Sequence, residues 1–385
     1  MQKRAIPFLP MGGLYETDDV EAANAVLLQA CRPDGNFFPL PEETLFQDAF
    51  ARHEGAAKAI AVNSCGTALD CCMMALGIGP GDEVITTPLT FVCTAGTALG
   101  RGATVVFADI DPVTLNLDPG RVRERITPKT KAIIPVHFAG LACDLDGFAR
   151  ITAETGVPVI YDAAHAVGTK YRGRSIGGGG KASCYSFQSN KNMTCLGEGG
   201  AVTSDDAEFA ELVRQKKTFG YVYGPQLRVV TVGFNYRMTK PQYAVGLTQL
   251  AKIDRVIARR QKAMRRMNEL LRDIDGIILP AGHGPDHGSH LYVIRLDTDK
   301  VRTTREVFAK RLKDDYGVGT AVHYPAVWTW EALANLGYTE EKANCPIAVK
   351  VSRQVISLPI FPLTSEEDLA YLAQAVRDCL AGLKA

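Results

Sequence analysis

Two side chains with covalent and acid–base potential stand out. Asp162 lies in Tyr161-Asp162-Ala163-Ala164-His165-Ala166, directly behind the apolar run from Pro158 to Tyr161. That run reads as a buried strand, so Asp162 falls at its carboxyl end, the edge where open α/β sheets bind ligands. A carboxylate there can also cap the following helix. Lys191 lies in Gln188-Ser189-Asn190-Lys191-Asn192-Met193-Thr194, between the strand-like runs Ser183–Phe187 and Ala201–Thr203. A loop lysine is ordinarily solvated. This one is followed by Gly197-Glu198-Gly199-Gly200, a turn where backbone can approach a ligand closely.

A third feature is Asn63-Ser64-Cys65-Gly66-Thr67-Ala68-Leu69, placed after one strand and before a helix. Gly66 lets backbone approach an anion, and the N–H groups and dipole of the helix start favour a phosphate. Ser64 and Thr67 add hydroxyls, although many plain helix starts look alike. A phosphate cup, a carboxylate and a lysine amine on one sheet edge suit pyridoxal 5'-phosphate (PLP). That cofactor needs a lysine for its aldehyde, an acid beside its pyridine nitrogen and a phosphate site.

The surrounding pattern supplies such an edge. Strand-like runs at Ala59–Val62, Asp82–Thr87, Thr104–Asp109, Ala132–Val136 and Pro158–Asp162 are interleaved with helical patterns at Thr67–Leu76, Phe91–Leu99 and Asp146–Thr155. The alternation predicts an α/β fold, a mostly parallel sheet with helices on both faces. Beyond Thr239, Tyr243, Leu247, Leu250, Ile253 and Ile257 recur at helical steps. Arg255, Arg259, Arg260, Lys262, Arg265 and Arg266 crowd the same helix and read as a solvated face or a subunit contact. A strand at His290–Leu296 and a helix at Thr304–Tyr316 point to a second α+β unit, and the expected division is 1–255 and 256–385.

Composition bounds the rest. The chain has 385 residues, 46% hydrophobic and 22% charged, which excludes a disordered protein. With 43 basic and 42 acidic residues, it offers no single-sign field for nucleic acid or an anionic membrane. No apolar run reaches a membrane span, and Pro7 and Pro10 break the segment behind Lys3 and Arg4, so neither a membrane anchor nor a signal peptide is expected. Ten cysteines without C-x-x-C spacing read as reduced, buried thiols of a cytoplasmic protein. His283, His287 and His290 lack metal-ligand spacing, and no metal is expected.

Seven segments in order resemble the DegT–DnrJ–StrS family of PLP-dependent aminotransferases: SCGTALD (64–70), GIGPGDEVITTPLTFVCT (77–94), PVHFAG (135–140), YDAAHAVGTKYRGRSIG (161–177), SFQSNKNMTCLGEGGAV (186–202), VGFNYRMT (232–239) and SLPIFPLT (357–364). The resemblance implies the aspartate-aminotransferase-type fold (fold type I), with a seven-stranded sheet and a smaller C-terminal domain. It also implies amino transfer from L-glutamate or L-glutamine to a keto-sugar or cyclitol ketone. Lys191 would form the Schiff base and Asp162 would pair with the pyridine nitrogen. Gly66, Thr67 and Ser186 would hold the phosphate, and Phe91 and His165 would flank the ring, His165 with a catalytic part. Asn235 would reach the phosphate from a neighbouring subunit, making the active unit a homodimer. Arg237, His323 and Tyr324 are candidate substrate contacts. Taken alone, Phe91 reads as a core aromatic, His165 as a buried structural histidine, Asn235 as a turn cap and Ser186 as an ordinary strand serine.

The chain departs from the family pattern at His323-Tyr324-Pro325-Ala326-Val327-Trp328-Thr329-Trp330, where a later histidine is missing, and at Lys240. Keeping lysine at 191 favours transamination over the dehydration that some relatives perform with histidine there. Two alternatives stay open: a dehydrating or aromatising enzyme on an aminocyclohexanone, and a PLP-binding regulator without turnover.

Overall fold

Seven strands form one sheet in the computed structural model, which describes residues 3–9, 11–381 and 383. They are β1 (Lys58–Val62), β2 (Glu83–Thr86), β3 (Thr104–Phe107), β4 (Thr130–Ile134), β5 (Ile160–Asp162), β6 (Ala182–Ser186) and β7 (Gly200–Ser204). The spatial order is β3-β2-β4-β5-β6-β7-β1. The β4–β5 joint is made by parallel bridges Ile133–Val159 and Val136–Asp162, closed by Asp162 N–H to Pro135 O at 2.8 Å and His137 N–H to Asp162 O at 3.0 Å. Only β7 runs against its neighbours in this sheet. The expected mostly parallel sheet is therefore present, and the carboxyl ends of β1, β5 and β6 share an edge.

Helices cover both faces. They include α1 (Thr17–Ala30), α2 (Glu42–Glu54), α3 (Cys65–Ala75), α4 (Val92–Gly100), α5 (Leu145–Thr155) and α6 (Ala207–Lys217). The spacing placed the start of α3 at Thr67, but it begins two residues earlier. Ser64 caps it: its Oγ accepts the Thr67 N–H at 3.1 Å, and Thr67 Oγ1 accepts the Ser64 N–H at 3.1 Å. This reciprocal pair satisfies two of the otherwise unpaired N–H groups at the helix start.

Behind the site, Phe50 packs edge-on against Tyr185 and Phe187, with ring centroids 5.1 Å apart in both pairs. All three rings are fully buried, and each burial stabilises the fold by ~1.5–3 kcal/mol. They pin the end of β6, and so the start of the Lys191 loop. The N-terminal segment adds a second hold on that loop, through Gly12 N–H to Ser189 O at 2.9 Å.

The 32-residue helix α7 (Lys240–Leu271) contributes Tyr243, Leu250, Ile253 and Ile257 to the large unit's core. Farther along it, Met264, Met267 and Leu271 enter a second core. That core lies against the antiparallel strands β8 (Ile277–Ile278), β9 (Tyr292–Leu296) and β10 (Val355–Leu358), with α8 (Arg305–Tyr316) and α9 (Glu366–Ala381). One expectation for α7 is overturned. Arg255, Arg259, Lys262 and Arg265 are exposed, but Arg260 is buried and donates to the carbonyls of Gly12, His290 and Ile360. It faces the core because it shares the helix side of Ile253, Ile257 and Met264. Burial pushes its pKa down to about 9.

Gly200 at the start of β7 is a point of close approach. A Cβ there would lie 2.5 Å from Ser64 C and 2.7 Å from Tyr185 O, both backbone atoms with little freedom to move. Gly200→Ala is expected to cost about 1–3 kcal/mol, read as a lowered urea midpoint at unchanged slope. A midpoint equal to that of the parent protein would show that the turn at Ser64 is not packed this tightly.

Candidate active site

Asp162 is fixed at the end of β5 by the strand's own hydrogen bonds and by its side-chain donors. Its Oδ2 accepts Thr94 Oγ1–H at 2.8 Å, its Oδ1 accepts the Ala164 N–H at 3.0 Å, and Cys65 Sγ lies 3.8 Å from Oδ1. Among the described residues, no lysine or arginine forms an ion pair with it. Burial therefore wins over these donors and raises its pKa, despite the opposing pull of the Lys191 charge. A buried carboxylate in this condition gains from any N–H⁺ brought to its free lone pairs.

Lys191 follows β6 in the loop before β7, with its N–H on Gln188 O at 2.9 Å. By surface area it keeps some solvent contact, yet enough protein surrounds its amine for burial to lower its pKa. The nearby Cys65, Asp162 and Cys93 only partly offset that shift. A lowered pKa leaves more of the amine with its electron pair free near neutral pH, as a nucleophilic lysine requires.

His165, Tyr324, His290 and His323 stand around this pair. The Ala139 N–H donates to His165 Nδ1 at 3.3 Å, which fixes the proton of the neutral ring on Nε2. Nε2 then donates to Tyr324 Oη at 2.9 Å, and the two rings stack at 5.8 Å. The Tyr324 hydroxyl hydrogen is thereby left to point at another acceptor. His290 lies 4.6 Å from His165 and bonds Asn192 Oδ1 through Nδ1 at 3.4 Å. His323 Nδ1 meets Ser357 Oγ at 2.8 Å. Phe91 is the N-cap of α4 and lies 6.1 Å from Tyr324; it is 53% exposed, so it is not the core aromatic that it could be on its own.

The start of α3 is the third part. Its first N–H groups, at Cys65 and Gly66, have no partner within the helix, and Cys65 touches both Asp162 and Cys184. A Cβ on Gly66 would find only ordinary contacts, 3.7 Å from Ser64 Oγ and 3.9 Å from Cys93 Cβ. Packing within the chain does not demand glycine there, whereas close approach of a ligand does. Ser186 ends β6 on the same edge, where its Oγ accepts the Gln188 N–H at 3.4 Å. The Thr67 hydroxyl donates to Asn63 Oδ1 at 2.7 Å, so its proton already has an acceptor. These observations fit a phosphorylated, aldehyde-bearing pyridine: an anion site of free N–H groups, a carboxylate short of a cation, and an amine of lowered pKa.

Asn235 and Arg237 lie apart from this group. Asn235 is exposed and its Oδ1 accepts Arg237 Nε–H at 2.9 Å, while the Arg237 guanidinium lies over the Phe219 ring at 5.3 Å. Their segment is tied to the cup through Asn63 N–H to Tyr236 O at 2.8 Å. His283 and His287 pack on each other at 4.6 Å in a small cavity lined by Leu141, Leu279 and Arg295. Sequence reasoning missed Thr94 and Ala139. Thr94 sits three residues after Phe91, one helical turn, and that spacing was the available signal.

Residues 18–377 match the DegT/DnrJ/EryC1/StrS aminotransferase family. The chain is 40% identical over 354 residues to the spore coat polysaccharide biosynthesis protein SpsC of Bacillus subtilis (strain 168), covering 89% of this chain and 90% of SpsC. The crystal structure of 3-amino-5-hydroxybenzoic acid (AHBA) synthase superposes with a TM-score of 0.88 at 30% identity, covering 98% of this chain and 100% of that one. The PLP form of Spr1654 from Streptococcus pneumoniae, described as a sugar aminotransferase, does so with 0.88 at 25% identity, covering 98% and 99%. Fold and site together define a PLP-dependent aminotransferase of fold type I. The chain belongs to the DegT/DnrJ/EryC1/StrS aminotransferase family.

Five of the seven histidines are buried, His323 is half-buried, and all six are held neutral. Burial pushes the pKa of His137 down to about 3 and of His283 and His323 to about 4, and it lowers those of His165, His287 and His290 well below the usual value. An unfolded histidine titrates near ~6.5. The unfolded chain therefore takes up protons first, and stability is full above that pH and lost as pH falls toward the folded values. The urea midpoint is expected to hold between pH 8 and 7 and to drop between pH 6 and 4. An unchanged midpoint at pH 5 would contradict the burial of these rings.

Proposed function

We propose that this chain transfers the amino group of L-glutamate or L-glutamine to the ketone of a sugar, nucleotide-linked or free, or of a related cyclitol, through a covalent link to Lys191. The observation that carries the reading is the shared sheet edge: the uncompensated Asp162 carboxylate, the Lys191 amine and the start of α3 lie together. Bound there, PLP supplies an aldehyde that takes up amino groups and a pyridine ring that accepts electron density from the donor's α-carbon.

The chain's own residues would do the rest. Asp162 holds a proton against the ring nitrogen, fixed in place by Thr94 and Ala164. Gly66, Thr67 and Ser186 receive the phosphate, with the Cys65 N–H beside them and the α3 dipole in support. Phe91 and His165 bound the space for the ring on its two faces, and Tyr324 turns its hydroxyl proton toward what binds there. Once displaced by the donor amine, Lys191 Nζ takes a proton from the donor's α-carbon and delivers it to the former aldehyde carbon on the other side of the nitrogen. His323 and Arg237 are the further residues proposed to meet substrate.

Three related proposals follow. The active unit is a homodimer in which Asn235 reaches the partner's phosphate site. Support comes from the exposed apolar residues beside it, with Val232 76% and Val229 67% exposed. The protein works in the cytoplasm; among the described residues no helix is long and apolar enough to cross a membrane. The chain divides near 255/256, which the separate apolar core beyond Ala263 supports. The sugar reading draws on SpsC, whose name places it in polysaccharide biosynthesis. The likeness to AHBA synthase keeps an aromatising reaction as the second reading.

The test is to supply L-glutamate or L-glutamine with a panel of nucleotide-linked keto-sugars and inososes, and to measure keto-acid release and aminated product. Amination is expected with at least one acceptor, and Lys191→Ala should lower turnover by ~10²-fold or more. Keto-acid release undiminished in that variant would refute the role of Lys191. An aromatic product would favour the second reading, and no turnover with any pair would favour a regulator.

A further inference from the structure

Asp162 is buried, yet it does not meet the core as a bare carboxylate. Thr94 Oγ1 lies 2.8 Å from its Oδ2, and Thr90 Oγ1 lies 2.8 Å from Thr94 Oγ1. Both threonines are within 1% of complete burial, so water does not compete for either hydroxyl. The direction of the chain is fixed by chemistry. An ionised carboxylate only accepts, so Thr94 donates to Asp162 and must accept from Thr90. Thr90→Thr94→Asp162 is therefore a polarised row of donors ending on the carboxylate. On Oδ1, the Ala164 N–H takes a second position. The side chain is thus held from two directions, with lone-pair capacity left over.

The same helical turn carries Phe91, the N-cap of α4, which lies against Tyr324 at the mouth of the site. A rotation of the first turn of α4 would move the aromatic wall and the carboxylate's donor together. That linkage makes the row more than a local packing detail.

We propose that Thr94 is a positioning residue that keeps the Asp162 carboxylate ionised and aimed at the pyridine nitrogen, with Thr90 as its support. The inference rests on the PLP reading above and adds the group on which the electronic state of the ring depends. A carboxylate that receives a hydroxyl hydrogen bond gives up some of its affinity for a proton. The proton shared with the ring then stays on nitrogen, and the ring keeps its positive charge. Without the Thr94 hydroxyl, Asp162 becomes more basic and draws the proton to itself, and the ring turns neutral. A neutral ring withdraws less electron density from the lysine–cofactor linkage, which then loses its own proton at higher pH.

The measurement is the pH titration of the bound-cofactor absorbance, without substrate, in the parent protein and in Thr94→Val, Thr94→Ser and Thr90→Val, each reconstituted with PLP. Thermal melting of the cofactor-free proteins reports folding separately. Thr94→Val is expected to move the titration midpoint upward by about one pH unit, the equivalent of one hydrogen bond to a charged group. Thr94→Ser should restore the parent midpoint, and Thr90→Val should give a smaller shift in the same direction. A Thr94→Val midpoint equal to the parent's would overturn the proposal. So would a Thr94→Ser midpoint displaced as far as that of Thr94→Val, since packing of the methyl group would then be the cause. If Thr94→Val does not fold, the Ser and Thr90 variants decide: a parent midpoint in Ser with an upward shift in Thr90→Val supports the row, and any other pair of results overturns it. A parent protein with no cofactor band at all would overturn the PLP reading itself, which is a distinct result because it precedes any substitution.

Discussion

The site depends on a carboxylate in the wrong solvent. Asp162 lies almost entirely out of water, at the end of a strand, with neutral donors around it and no paired cation of its own. Burying a charge in this way is costly unless something compensates for it. Three neutral groups (Thr94, Ala164 and, weakly, Cys65) reduce that cost but do not remove it. A ligand that carries an N–H⁺ completes the arrangement, and a positively charged pyridine ring is such a ligand. In this account, the protein holds its acid in a state that the cofactor improves.

Much of the architecture serves to place three groups on one edge. Parallel β5 and β6 put Asp162 and Ser186 at neighbouring carboxyl ends. The antiparallel β7 starts at Gly200, close against Ser64, and this brings the turn before α3 onto the same edge. The loop between β6 and β7 is short enough to keep Lys191 there, and Gly12 braces it from outside. The chain beyond residue 255 adds Tyr324, His323 and His290, and Tyr324 meets Cys65 and Cys184 in one apolar cluster. The buried Arg260 ties three separate segments together through one carbonyl from each.

What was legible in the sequence follows from periodicity and from chemical oddity. Apolar runs such as Pro158–Tyr161 and Ala132–Val136 marked the strands, because a sheet buried on both faces leaves no alternation to misread. Asp162 stood out because charged residues at buried strand ends are rare, and Lys191 because it falls in a small polar loop between two buried strands. The start of α3 was misplaced, since a capping box led by Ser64 with Thr67 as its return partner differs from the usual Glu or Gln pattern. Arg260 was read with its exposed neighbours because one buried arginine in a basic run has no composition signal; only its helical phase marks it. Thr94 escaped notice for a related reason. A threonine in an apolar helix start looks like packing until the carboxylate it serves is in view, and that carboxylate arrives from a strand far along the chain.

The proposed chemistry turns on one amine and one ring. Purified protein incubated with PLP, reduced with borohydride and digested should yield a single modified peptide, with the mass of a reduced pyridoxyl phosphate group on Lys191. Modification at another lysine, or none, would contradict it.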